Sequence, residues 1–291
     1  MQITPNEVVG ANVDGIDVAT LDDAGFAALE RALLQHQLLA VHDQCLTPES
    51  FIAFVRQFGP IDLHVLDQYW MDGHPEVYVI SNIVENGRPI GNAREGFGWH
   101  SDLNYFSNPT AVTVLYALEV PPEGGDTMFA DAALAYSALT AEHRESLRKL
   151  TVRHSYQLLH ASRPWLKLMT PAQVARTPDV FHPLVRRHPA IDREGLYLGD
   201  WASVRLQLPD EAEARAAQER LLAHMVQPEF RHVHRWRAGD LVLWDNRTLM
   251  HTATEYDRER YRRHIWRSSV RGEVPLGAFD RSSAIDVAGR A

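Results

Sequence analysis

The stretch GWHSDLNYF, residues 98–106, sets His100 and Asp102 two positions apart inside a run of aromatic and β-favouring residues. On a β-strand, side chains two apart share a face, so an imidazole and a carboxylate at this spacing converge on one ion, with a further ligand supplied from elsewhere. The reading therefore asks for a β scaffold, and the flanking sequence offers one. EVYVISNI (76–83), TAVTVLYALEV (110–120), DTMFAD (126–131), LVLWDNRTLMH (241–251) and RRHIWRSSV (262–270) are short β-rich runs punctuated by Gly and Pro, as in a sandwich or barrel.

Helical patterns surround these runs. TLDDAGFAALERALLQHQ (20–37) spaces Phe26, Leu29, Leu33 and Leu34 along one face, with Asp22 and Asp23 near the positive end. TPESFIAFVRQFG (47–59) opens on Thr47 and Pro48 and closes on Gly59. AALAYSALTAEHRESLRKL (132–150) and DEAEARAAQERLLAHMV (210–226) read as two more helices. No repeat or linker divides the chain, and β-rich runs lie on both sides of the mixed segment. A single domain over residues 1–291 is expected, with 151–205 as a lid or insertion.

Composition narrows the chemistry. The chain has 291 residues, 45% of them hydrophobic and 23% charged. No apolar run approaches the roughly 18 residues that span a bilayer, so no membrane association is expected. The N-terminal MQITPNEVVGANVDG has neither the basic nor the apolar segment of a secretory signal, which points to a cytoplasmic protein. Cys45 is the one cysteine, so a metal here must be held by His and carboxylate. A formal charge of −9 argues against a nucleic-acid surface, although arginines can still gather in one pocket to meet an anion.

His251, at the end of LVLWDNRTLMH, is the candidate third ligand. Two imidazoles and one carboxylate make the facial triad of non-heme Fe(II), which leaves positions open for a chelating cosubstrate and O2; zinc accepts the same ligands. In RRHIWRSSV, a strand puts Arg263, Ile265 and Arg267 on one face, sending two guanidinium groups toward the same pocket. Such planar forks suit a carboxylate or sulfonate. A hydrolytic zinc site needs no such anchor, whereas a site for the dicarboxylate 2-oxoglutarate does.

GWHSD, VPPEGGDTMFAD, AGDLVLWDNRTLMH and RRHIWR, in this order, give the chain a resemblance to the TauD/TfdA family of Fe(II)- and 2-oxoglutarate-dependent dioxygenases, from about residue 5 to residue 275. The resemblance implies a double-stranded β-helix, or jelly-roll core, decorated with helices. It implies Fe(II) on His100, Asp102 and His251, and 2-oxoglutarate anchored by Thr127 and Arg263. It implies an anionic substrate group at Arg267, a substrate contact at His64, and O2 as the third reactant. Trp99, Tyr105 and Trp244 flank the motifs, and Tyr105 is read as a pocket residue. The implied reaction converts 2-oxoglutarate to succinate and CO2 while hydroxylating an unactivated C–H of a small organic acid such as a sulfonate, aryloxyacid or amino acid. Family members usually self-associate, so a homo-oligomer is expected. Where taurine dioxygenase meets the substrate's amino group with an aspartate and an asparagine, this chain has Glu95 and Gly96, which points away from taurine itself. A His/Asp zinc hydrolase and a small-anion binding protein are the rival readings.

Overall fold

The computed structural model describes residues 1–166 and 168–277; the rest of the expected 1–291 domain lies outside the described residues. Its largest sheet runs, in spatial order, through Gln2–Pro5, Ala11–Asp14, Leu38–Val41, Leu241–Asp245, Thr110–Glu119, His264–Arg271, His74–Ser81 and Trp70–Met71, with Ile61–Asp62 pairing on His264–Arg271. A three-stranded antiparallel sheet of Arg231–His234, Thr127–Asp131 and Leu249–Ala253 faces it.

Period-two alternation explains how the sheets stack. Leu39, Val41, Leu241, Leu243, Val114, Tyr116 and Trp266 turn to one side of the large sheet, where helices Asp23–His36 and Pro48–Arg56 cover them with Leu29, Leu33, Phe51 and Phe54. Their neighbours Leu38, Ala40, Val242, Trp244, Leu115, Ala117 and Ile265 turn the other way, onto Phe129, Leu249 and Trp236 of the small sheet and its flank. Ala130 and Met250, on the far face of the small sheet, pack with helices Ala132–Ser137 and Glu211–Met225.

The helix starts carry side-chain caps. Asp22 accepts from Gly25 N–H at 2.8 Å, and Thr47 forms a reciprocal capping box with Ser50 ahead of a Pro at the first turn. The sequence expectations need three corrections here. The helix expected over 132–150 is two helices, Ala132–Ser137 and Ala141–Leu147, because Thr140 caps a new start by accepting from His143 N–H. The run 241–251 is two strands in different sheets, joined by a turn at 246–248. GWHSDLNYF is not a strand: it is a bend with one isolated bridge, between His100 and His251, and Leu103 sits at φ 46°.

The segment 151–205 is more built than a lid loop. It holds the strands Thr151–His154, Val180–Pro183, Val185–Arg187, Glu194–Leu196 and most of Val204–Leu206, and the helices Tyr156–Ala161 and Pro171–Arg176. With Leu276–Gly277 these strands form two further three-stranded sheets, and the helix Tyr156–Ala161 with the loop after it overhangs the open end of the sheet pair.

Candidate active site

His251 enters the site from the small sheet, opposite Phe129 in register, and His100 is fastened to it by two backbone hydrogen bonds of 3.0 and 2.8 Å. This bridge, not strand alternation within 98–106, brings the first motif to the second. His100 Nδ1 lies 2.7 Å from the carbonyl of Gly98. A carbonyl only accepts, so Nδ1 carries the proton and Nε2 presents its lone pair. Gly98 is at φ 86°, and a Cβ there would sit 2.2 Å from the Asp200 carboxylate, so the turn that aims His100 requires glycine.

Asp102 is fixed from behind. Thr113 Oγ1 donates to Asp102 Oδ2 at 2.6 Å, Asn246 Nδ2 donates to Thr113 Oγ1 at 2.9 Å, and Asn246 Oδ1 accepts from Asp102 N–H at 3.0 Å and from Trp244 Nε1 at 3.1 Å. The other oxygen, Oδ1, lies 3.7 Å from Nε2 of both His100 and His251. One ligand atom from each of the three residues falls within 4.8 Å of the others, the only such cluster among the described residues. Three electron-pair donors face one another with no hydrogen bond between the imidazoles and the carboxylate. That donor set fits a divalent first-row metal with positions left open. Desolvation pushes His251 down to about 3, so its ring is neutral and able to ligate. Burial opposes ionisation of Asp102, but Arg267, then His251 and His100, outweigh it and hold the carboxyl well below its usual range.

Arg263 precedes the strand His264–Arg271, tied down by its N–H to Asn82 Oδ1 at 2.8 Å. With Thr127, Trp244, His251 and Asp102 it lines a narrow slot of about 30 Å³. Its side chain is buried, its Nε has no hydrogen-bond partner, and no carboxylate pairs with it among the described residues. Desolvation lowers it to about 10. A buried guanidinium left this way is suited to an anion, since burying an uncompensated charge is costly. Thr127 follows the Gly124–Gly125 turn, where a Cβ on Gly124 would come 2.4 Å from the Glu255 carbonyl. Its Oγ1 accepts from Trp236 Nε1 at 3.0 Å, which leaves the hydroxyl's own proton free for another acceptor.

A larger cavity of about 200 Å³ opens beside the slot, and His64, Glu95, Tyr105 and Arg267 all line it, with the aromatic rings of Phe97, Trp99, Tyr156 and Trp165. His64 accepts from Leu66 N–H at 3.1 Å, and desolvation brings it down to about 3. Tyr105 packs its ring 4.4 Å from that of Tyr156. Arg267, where the resemblance implies an anionic substrate group, comes from the large sheet. Its Nη2 lies 2.8 Å from Asp102 Oδ1, so the guanidinium is paired with one of the metal-type donors. Glu95 is held from two sides. One oxygen accepts from Tyr78 Oη at 3.2 Å and from Asn92 Nδ2, and the other faces two guanidinium groups.

Sequence reading missed Thr113, Asn246, Trp236 and Arg163. Asn246 lies inside a motif already singled out, and Thr113 is a polar residue on a strand face otherwise given to Leu115 and Ala117, a signal that alternation makes readable. Arg163 and Trp236 announce themselves only through three-dimensional proximity.

Comparison with known proteins agrees with this geometry. Residues 2–269 match the family model "Taurine catabolism dioxygenase TauD, TfdA family". The (S)-phenoxypropionate/alpha-ketoglutarate-dioxygenase of Sphingobium herbicidovorans is 35% identical over 285 residues, 91% of this chain and 92% of that protein. The alpha-ketoglutarate-dependent 2,4-dichlorophenoxyacetate dioxygenase of Cupriavidus pinatubonensis is 35% identical over 258 residues, 85% and 89% of the two chains. The crystal structure of AAD-2 with Mn(II) and N-oxalylglycine superposes with a TM-score of 0.81 at 30% identity, covering 94% of this chain and 99% of that one. A taurine dioxygenase from Burkholderia xenovorans superposes at 0.78 with 31% identity, over 95% and 91%. The sheet-rich fold and the His–Asp–His cluster thus define an alpha-ketoglutarate-dependent oxygenase of the non-heme iron class. The chain belongs to the TauD/TfdA dioxygenase family.

Proposed function

We propose that this protein is an Fe(II)- and 2-oxoglutarate-dependent dioxygenase that hydroxylates an unactivated C–H of a small organic acid and releases succinate and CO2. The observation that carries the reading is the buried guanidinium of Arg263, which pairs with no carboxylate among the described residues and shares one slot with Thr127 and the three metal-type donors. His100, Asp102 and His251 would hold the iron, which when bound supplies the activation of O2 that is paid for by oxidative decarboxylation of 2-oxoglutarate.

The chain's own residues do the rest. Arg263 and Thr127 bind the distal carboxylate and so aim the 2-oxo acid end at the donor set. Thr113 and Asn246 keep Asp102 presenting one oxygen. Tyr105, Tyr156 and Phe97 give the neighbouring cavity an apolar wall that limits water around the target C–H, with Arg267 and His64 as its polar contacts. Two facing sheets with the donors at one open end are what a double-stranded β-helix provides, and residues 151–205 act as its cover within one domain.

The test is a succinate-release assay of the Fe(II)-loaded chain with 2-oxoglutarate and a panel of sulfonates, aryloxyacids, sulfate esters, amino acids and aminophosphonates. At least one acid should raise succinate release above the uncoupled rate. If neutral compounds alone do so, the organic-acid reading fails.

A further inference from the structure

The larger cavity contains a buried ionic cluster in which Arg267 meets two residues, Glu95 and Arg163, that the mechanism above leaves without a task. Glu95 Oε1 lies 3.7 Å from Arg163 Nη1 and 4.0 Å from Arg267 Nη1, too far for hydrogen bonds, and the three side chains are only 7%, 10% and 7% exposed. Glu95 Oε2 is fully used by Tyr78 and Asn92, which fix the carboxylate in place. Arg163 comes from the cover segment and Arg267 from the large sheet, so the two cations reach the same carboxylate from opposite walls. Glu95 also lines the slot that holds Arg263, and so stands between the two cavities.

The charges do not balance. Two guanidinium groups meet one carboxylate, and Asp102, the other acid at Arg267, belongs to the metal-type donor set. The cluster is left with one positive charge, loosely spanned, beside a space of about 200 Å³. One ligand anion would neutralise it, whereas two negative charges would leave an excess held next to the buried Glu95. We infer that Glu95, Arg163 and Arg267 form a charge filter: the cavity admits substrates carrying a single negative charge, clamped between Arg163 and Arg267, and Glu95 turns dianions away, 2-oxoglutarate included. This deepens the organic-acid reading and rests on it. Because Arg163 sits on the cover, the same clamp ties the cover to the floor when the substrate anion is bound.

The experiment takes the best acid from the succinate screen and its phosphonate isostere, which carries a second negative charge at mildly alkaline pH. Wild type, Glu95→Gln and Arg163→Gln are compared as Fe(II)-loaded full-length chains. The KM of wild type for the monoanion should lie about tenfold or more below the Ki of the isostere, and Glu95→Gln should erase that gap. Arg163→Gln should raise the KM for the monoanion about tenfold or more while the KM for 2-oxoglutarate moves less than about threefold, with Arg163→Lys recovering part of the loss. The Arg163 pair decides the matter if Glu95→Gln does not fold. A wild type that prefers the dianion, a Glu95→Gln variant that keeps the selectivity, or an Arg163→Gln variant with unchanged KM for the monoanion overturns the filter alone. If no acid stimulates succinate release, the organic-acid reading falls and the filter falls with it.

Discussion

The hydroxyl of Thr113 donates to Asp102 Oδ2 at 2.6 Å, and Asn246 holds that hydroxyl from the other side. One carboxylate oxygen is thereby spoken for, and the other is presented to the two imidazoles. Partners of this kind typically contribute 10- to 100-fold to metal affinity. Thr113→Val, close in volume, should therefore weaken metal binding by roughly 10- to 100-fold in a Mn(II) titration while leaving the folded circular dichroism spectrum in place. Unchanged affinity would show that Asp102 needs no such support.

Arg263→Ala removes a charge-assisted clamp from a buried slot. The loss should be on the order of 2 to 5 kcal/mol, roughly 30-fold or more in 2-oxoglutarate affinity by calorimetry on the metal-loaded protein. Arg263→Lys should recover only part, because an ammonium cannot reproduce the planar fork. The neighbouring Arg262 is exposed, with Glu119 3.1 Å away, so Arg262→Ala should have little effect.

Trp236 should act through Thr127. Its indole N–H occupies one lone pair of the Thr127 hydroxyl, and its ring is backed by His234, which Asp240 holds at 3.1 Å while also holding His42 at 2.7 Å. Trp236→Phe should weaken 2-oxoglutarate by about one hydrogen bond, roughly 1 kcal/mol. It should not change the affinity for pyruvate, a 2-oxo acid with no distal carboxylate to be received. Equal losses for both acids would mean a general disturbance of the slot.

Much of this was legible in the sequence, and the failures have physical causes. Helices Asp23–His36 and Pro48–Arg56 follow from amphipathic spacing and from Asp22 and Thr47 as caps, all local properties. The strands Thr110–Glu119 and Thr127–Asp131 follow from β-branched runs between turns. GWHSDLNYF misled because its residue types suit a strand while Gly98 at φ 86° and Leu103 at φ 46° bend the chain, a conformation the bridge to His251 selects. The donors still converge, since that long-range bridge replaces the alternation. Arg267 lines the cavity, and its pairing with Asp102 depends on two segments far apart in sequence, which no local pattern shows. The same holds for Arg163 and Glu95, whose meeting depends on how the 151–205 segment folds back.

Buried histidines should make the metal-free protein acid-sensitive. Desolvation lowers His64 to about 3, His182 to about 4, and His154 well below its ordinary value. The unfolded chain protonates these rings near pH 6.5, whereas the folded protein resists until far lower pH. Stability therefore falls as pH drops below about 6.5, by about 1.4 kcal/mol per pH unit for each such ring, until the folded pKa is reached. The depressed carboxyls of Asp102 and Asp245 add their loss only below about pH 4. Denaturant midpoints measured from pH 7 to 4.5 should decline steadily, and a flat profile would mean these rings are hydrated or paired in solution.

One His–Asp–His centre serving a 2-oxoglutarate-coupled oxidation should be strictly dependent on both iron and cosubstrate. The direct measurement is product formation by the chain loaded with Fe(II) or with Zn(II), each with and without 2-oxoglutarate, under air, using the acid found in the screen. Succinate and oxidised acid should form in step only with Fe(II) and 2-oxoglutarate together, and neither product should form with His100→Ala or His251→Ala. Turnover by the zinc-loaded protein in the absence of 2-oxoglutarate, or full activity in either histidine variant, would contradict it.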